Sequence, residues 1–194
     1  MKTFVNSLSI FRICAAFAII PTLMMQWNWI SLILFALGSI SDWFDGYLAR
    51  KYNVCTKLGG VLDHIGDKLL VVNTFIMIAI IISTALLPVI VLAMVVVPII
   101  LMISRELYIS GLREFLGTQK IEMPVPKARF SLGKIKTTLQ MVTILLFLVS
   151  FAMPFASEIY LITVFAFLYA SLVASIWSAV QYTRTFAEKL KKIK

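Results

Sequence analysis

Residues 41–68 read SDWFDGYLARKYNVCTKLGGVLDHIGDK, and this stretch from Ser41 to Lys68 decides how the rest of the chain is understood. It holds four aspartates, Asp42, Asp45, Asp63 and Asp67, in a 194-residue chain that is 61% hydrophobic and only 14% charged. Asp42 and Asp45 are three apart, and Asp63 and Asp67 four apart, so on helices each pair projects from one face. Each pair is spaced to share a metal ion. Clustered carboxylates repel one another, and such a group is stable mainly when something positive sits between them. Hard oxygen ligands select Mg²⁺ or Mn²⁺ over zinc, and Mg²⁺ commonly bridges carboxylates to substrate phosphates. For one aspartate alone, pairing with Arg50 or Lys68 is the simpler explanation; four in one block are harder to account for that way.

On either side of this block the chain is too apolar for an ordinary soluble domain. A spanning helix needs about 20 predominantly apolar residues, and six such stretches are present, near 6–26, 29–50, 60–84, 88–108, 136–154 and 159–182. The expectation is an all-α integral membrane protein of six transmembrane helices in one bundle. Asp42 precedes Arg50 by about two helical turns, on the order of 12 Å at about 1.5 Å per residue. It therefore lies at or just below the headgroup boundary, where a carboxylate is costly unless paired or metal-bound.

Short cytoplasmic loops are rich in Lys and Arg. With the N-terminus inside, the external loops are Pro21 to Trp29, Ser83 to Pro88 and Met153 to Ser157, and none of the eighteen Lys and Arg falls in them. Both termini are thus expected to be cytoplasmic, with the aspartates facing the cytoplasm. The net charge of +9 is explained by topology and anionic headgroups and does not call for nucleic acid. No small-residue cleavage site follows a short apolar core at the N-terminus, so the first stretch is expected to remain as a span. Cys14 falls in that span and Cys55 in a cytoplasmic loop, so neither a disulfide nor a cysteine metal site is expected. No linker, low-complexity run or repeat divides the chain, and residues 1–194 read as a single domain.

Two glycines sharpen the aspartate block. Gly46 follows Asp45 directly, and Gly59, Asp63 and Asp67 recur every four residues along one helical face. Glycine inside a helix costs about 1 kcal/mol relative to alanine, which suggests close approach of a ligand or another helix. Written out, the pattern is Asp42, two residues, Asp45-Gly46, two residues, Ala49-Arg50, eight residues, Gly59, three residues, Asp63, three residues, Asp67.

This pattern resembles the signature of the CDP-alcohol phosphotransferases at every fixed position. The resemblance implies that family's six-helix fold, a homodimer, and transfer of a phosphoryl-linked group from a CDP-linked donor to an alcohol with release of CMP. It further implies Asp42, Asp45, Asp63 and Asp67 as ligands of Mg²⁺ or Mn²⁺, two ions per site. Asp67 would also be the base that takes the acceptor's proton, and Gly46, Arg50, Thr56 and Gly59 would line the cytidine diphosphate. His64 is next to Asp63 but faces another way on a helix, and is expected to be peripheral.

The acceptor must be decided elsewhere, in residues 104–116 and 131–141. The first segment holds Ser104-Arg105-Glu106 and Ser110-Gly111-Leu112-Arg113-Glu114-Phe115-Leu116; the second holds Gly133-Lys134-Ile135-Lys136-Thr137. Arg105 and Arg113 are eight apart and share a helical face, while Lys134 and Lys136 open the fifth span, so the four could form a cationic pocket beside the aspartates. Arg suits a bidentate grip on phosphate, and Lys adds point charge. Positive-inside charge alone suffices for Lys120, Lys127 and Arg129, but not for the doubled Arg-Glu pattern of Arg105-Glu106 and Arg113-Glu114 on an apolar helix.

These two blocks are similar to those of the bacterial branch of the family that uses glycerol 3-phosphate. That similarity implies CDP-diacylglycerol as donor, sn-glycerol 3-phosphate as acceptor, and the bacterial inner membrane as location. The N-terminal element of that branch is Asn-Pro-Asn followed by Leu-Thr and an Arg. Here Asn6, Leu8 and Arg12 match, the proline is absent and Ser9 replaces Thr. Rival readings within the family take phosphatidylglycerol, inositol phosphate or serine as acceptor. Outside it, intramembrane aspartates could mark a cation transporter. Transporters often carry internal repeats and midplane sites, whereas these acids lie at one membrane face in an unrepeated block. An inactive scaffold is disfavoured because no signature position is lost.

Overall fold

A computed structural model describes residues 2–51, 57–118, 132–153 and 157–191; the side chains of 2–6, 42–51, 57, 58, 132, 134 and 189–191 lie outside the description. The described residues form six helices: α1 (Lys2–Met24), α2 (Asn28–Lys51), α3 (Lys57–Thr84), α4 (Val89–Thr118), α5 (Leu132–Ala152) and α6 (Glu158–Lys191). In five of them a run is long and apolar enough to cross a membrane: Ser7–Met24, Gly59–Thr84, Val89–Thr118, Ile135–Ala152 and Glu158–Glu188. In α2 the apolar run Asn28–Ser41 is shorter. Beyond it the helix continues through the first half of the aspartate block.

Helix ends depart from the hydropathy reading in a consistent way. The fourth and sixth helices run on past their apolar windows, to Thr118 and Lys191. Polar residues stop a hydropathy count, but they do not stop a helix. Pro21, expected in an external loop, instead lies within the end of α1. That helix closes where Trp27 N donates to Thr22 O at 2.8 Å and Gln26 N to Leu23 O at 3.1 Å, with Gln26 at a φ of 58°. This is a Schellman-type cap, with Gln26 in the left-handed position that glycine usually fills.

α1 packs on α2 and α3, α5 on α2 and α6, and α4 on α3 and α6. The interior is built from aliphatic and aromatic faces, including Ile19, Phe35, Leu70, Phe75, Ile99, Ile144 and Leu168, all 1% exposed or less. Outward-facing positions are just as apolar: Leu86, Val89, Ile90 and Ile159 are each at least 70% exposed. In water such a surface would aggregate, whereas in lipid it has its matching solvent. Polar side chains pin the bundle by bonding across helices. Asn73 Nδ2 donates to Ala16 O at 3.0 Å, Asn28 Nδ2 to Phe151 O at 2.8 Å and Tyr160 Oη to Leu146 O at 2.6 Å. Lacking water as a competitor, bonds of this kind glue membrane helices together.

Candidate active site

The site is assembled on the first half of α3. Gly59, Asp63 and Asp67 follow one another at one-turn spacing on this helix, and Gly66 sits on its packed side. A Cβ added at Gly66 would meet Ile13 Cγ1 and Ser9 O, each at 3.4 Å. The missing side chain therefore lets α1 lie close against α3 at the level of the aspartates. Across this contact Arg12 Nη1 donates to Asp63 Oδ1 at 2.8 Å. The Arg12 side chain is fully buried, while that of Asp63 keeps 45% of its surface exposed.

Sequence spacing offers Arg50 or Lys68 as partners for the aspartates and gives no sign of Arg12 in this role. Among the described residues, Asp63 forms its ion pair with Arg12, and Lys68 reaches the other way, donating to Ser110 Oγ on α4. One signal was available: an arginine inside an apolar span must have a partner. Which partner depends on helix packing over 51 residues of sequence separation, and spacing carries no record of that.

Of the remaining proposed donor and metal residues, Asp42, Asp45, Gly46 and Arg50 belong to the last turns of α2, with their side chains outside the description, and Thr56 lies outside the described residues. Among the described residues no three His, Cys, Asp or Glu side chains gather into a metal-holding group. Asp63 and Asp67 supply the described part of the set. They are acceptor-only oxygen donors one turn apart, and Asp63 stays open despite its bond to Arg12. This donor chemistry fits Mg²⁺ or Mn²⁺.

Next to the aspartates, α3, α4, α5 and α6 converge on Glu106. Its carboxylate accepts from Lys136 Nζ of α5 and, at 3.2 Å, from Arg105 Nη1. Its backbone carbonyl accepts from Ser110 Oγ at 2.7 Å, the same hydroxyl that binds Lys68. Arg105 Nη2 also donates to Ser178 Oγ of α6 at 2.8 Å. The side chains of Lys136, Arg105 and Glu106 are only 7%, 11% and 13% exposed. Asp67 lies close enough to act on the charges of both Lys68 and Lys136. The two polar segments that were far apart in sequence thus meet beside α3. Gln140, one turn beyond Lys136, is buried with Nε2 making no hydrogen bond within the described protein.

Arg113 is exposed and sits two turns further along α4, its guanidinium 5.2 Å from the centroid of the Tyr182 ring on α6, within cation–π range. Both arginines therefore face α6, but only Arg105 belongs to the Glu106 cluster. Lys134 lies on α5 with its side chain outside the description. His64 is exposed, and Cys14 is an exposed free thiol.

Residues 2–181 match the model of the CDP-alcohol phosphatidyltransferase family, and the chain belongs to that family of membrane-embedded transferases. It is 40% identical over 139 residues to the CDP-diacylglycerol–glycerol-3-phosphate 3-phosphatidyltransferase of Rickettsia bellii, covering 70% of this chain and 69% of that protein. To the Salmonella choleraesuis protein of the same name it is 30% identical over 180 residues, 90% of each chain. A cardiolipin synthase (CMP-forming) of Oryza sativa is 33% identical over 188 residues, covering 95% of this chain but 57% of the rice protein.

Proposed function

We propose that this chain transfers the phosphatidyl group of CDP-diacylglycerol to the 1-hydroxyl of sn-glycerol 3-phosphate, giving phosphatidylglycerophosphate and CMP. The observation that carries this reading is the cluster around Glu106. Arg105 of α4 and Lys136 of α5 share its one carboxylate, with Lys68 of α3 bonded to Ser110 next to them and Asp67 nearby. Two largely buried cations on one carboxylate leave positive charge that a bound anion would complete. A phosphate monoester brings two negative charges and three acceptor oxygens, whereas the phosphodiester of phosphatidylglycerol brings one charge on a far bulkier acceptor. The named bacterial relatives support the same acceptor, and the rice relative makes phosphatidylglycerol the second reading to test.

In this reading Asp67 removes the proton from the 1-hydroxyl as its oxygen attacks the phosphatidyl phosphorus. The bond from phosphorus to the bridging oxygen breaks, and CMP leaves with the electron pair. Gly46, Arg50, Thr56 and Gly59 line the cytidine diphosphate, the glycines leaving backbone room for the pyrophosphate. Arg105, Arg113, Lys134 and Lys136 hold the acceptor phosphate, joined by Lys68, with Glu106 fixing Arg105 and Lys136 in place. Two Mg²⁺ or Mn²⁺ ions, held by Asp42, Asp45, Asp63 and Asp67, would neutralise the pyrophosphate and stabilise the departing CMP.

The chain acts as one domain over residues 1–194, with α2 completing a set of six spans, in the bacterial inner membrane and as a homodimer. The Lys and Arg distribution supports cytoplasmic termini and a cytoplasmic active site. Radiolabelled glycerol 3-phosphate given to the detergent-purified protein tests the reaction: label should enter the lipid phase only with CDP-diacylglycerol and a divalent cation, and EDTA should stop it. Label remaining water-soluble under all conditions would exclude this acceptor.

A further inference from the structure

We propose that Arg12 is a positioning residue for Asp63, fixing the orientation in which that carboxylate meets divalent metal. This rests on Asp63 being a metal ligand. Arg12 lies in the membrane-capable run Ser7–Met24 with no exposed surface. A buried guanidinium is retained there at considerable cost, and the structure directs it onto Asp63 at 2.8 Å. The alkyl stem is aimed by the notch at Gly66, where an added Cβ would stand 3.5 Å from Arg12 Cδ. Gly66 is three residues after Asp63, so the notch and the carboxylate share one side of α3. The bond engages Oδ1 while the carboxylate remains 45% exposed, leaving it accessible to an ion.

Carboxylates that ligate metals are ordinarily oriented by outer hydrogen-bond donors. Arginine suits this task better than lysine, because its planar guanidinium presents its donors in a fixed geometry, whereas an ammonium is a point charge on a flexible stem. Before metal arrives, the same guanidinium compensates the Asp63 charge at the membrane boundary. The N-terminal segment, which looks peripheral to the aspartate signature, thereby becomes part of the site.

The test is binding of Mn²⁺ alone to the purified protein, with free ion read by electron paramagnetic resonance, for wild type, Arg12→Gln, Arg12→Lys and Asp63→Asn. Arg12→Gln should weaken Mn²⁺ by about 10–100-fold, the range typical of outer-partner loss, and Arg12→Lys by less. At saturating metal, the acceptor KM of both should stay near wild type. A merely structural arginine would lower Tm and yield while the folded fraction bound Mn²⁺ normally, and that result overturns the proposal. If Arg12→Gln does not fold, Arg12→Lys decides, since unchanged Mn²⁺ affinity in that folded variant is equally fatal. Loss of Mn²⁺ in Asp63→Asn with no change in the Arg12 variants defeats this inference alone. Normal Mn²⁺ binding by Asp63→Asn instead defeats the assignment of Asp63 as a ligand.

Discussion

Asp67 and Arg113 test the proposed chemistry one side chain at a time. Asp67→Asn keeps the shape of the side chain and removes its basicity. Turnover should fall by about 10²–10⁴-fold, the contribution usual for a positioned base or acid, while CDP-diacylglycerol still binds. Normal turnover in this variant would remove Asp67 as the base. Arg113→Ala should raise the acceptor KM before it disturbs donor binding, in a steady-state titration of glycerol 3-phosphate. Its guanidinium rests on Tyr182 and outside the Glu106 cluster, so the effect should be smaller than that of Arg105→Ala. Equal KM values in wild type and Arg113→Ala would place Arg113 outside the acceptor pocket. That Asp63 and Asp67 share one side of a helix is legible in the sequence, because helical spacing alone aligns residues four apart. Arg12 and Glu106 were not legible as organisers, since their roles arise only when α1 meets α3 and α5 meets α4.

Among the elements, α4 and α5 are joined at the site by Glu106, which holds Lys136 and Arg105 where little water reaches. Breaking a buried ion pair by removing one partner costs about 3–5 kcal/mol, because the other charges are left uncompensated. Glu106→Gln should therefore lower Tm markedly. Added inorganic phosphate or glycerol 3-phosphate should recover more Tm in this variant than in wild type, as a ligand of the folded state stabilises it by mass action. A thermal scan across phosphate concentrations reads this directly; no gain in either protein would mean that the cations around Glu106 do not bind phosphate. Helix existence was readable from hydropathy, but the ends of α4 and α6 were not. Charged residues continue those helices to Thr118 and Lys191 at the cost of hydropathy but not of backbone hydrogen bonding.

For the molecule as a whole, the sequence distributes charge more tightly than it distributes anything else. None of the eighteen Lys and Arg lies in the three stretches expected outside. With Cys14 and Cys55 replaced by Ser, a cysteine at Ser157 should react with a membrane-impermeant thiol reagent in intact cells. One at Arg184 should react only after the membrane is opened. The reverse pattern would invert the topology and put the aspartates on the wrong side for a cytoplasmic nucleotide. The apolar exterior, with Leu86, Val89 and Ile159 turned outward, is consistent with immersion in lipid.

The central claim is that the buried cations beside Asp67 choose a phosphate monoester as acceptor. It is tested most directly by CMP release from CDP-diacylglycerol by the purified protein with Mg²⁺ or Mn²⁺, comparing sn-glycerol 3-phosphate with phosphatidylglycerol, inositol phosphate and serine. Release that depends on glycerol 3-phosphate, and that falls when Lys136 or Arg105 is replaced, is the predicted result. Release driven instead by phosphatidylglycerol or serine, unaffected by those replacements, would contradict it.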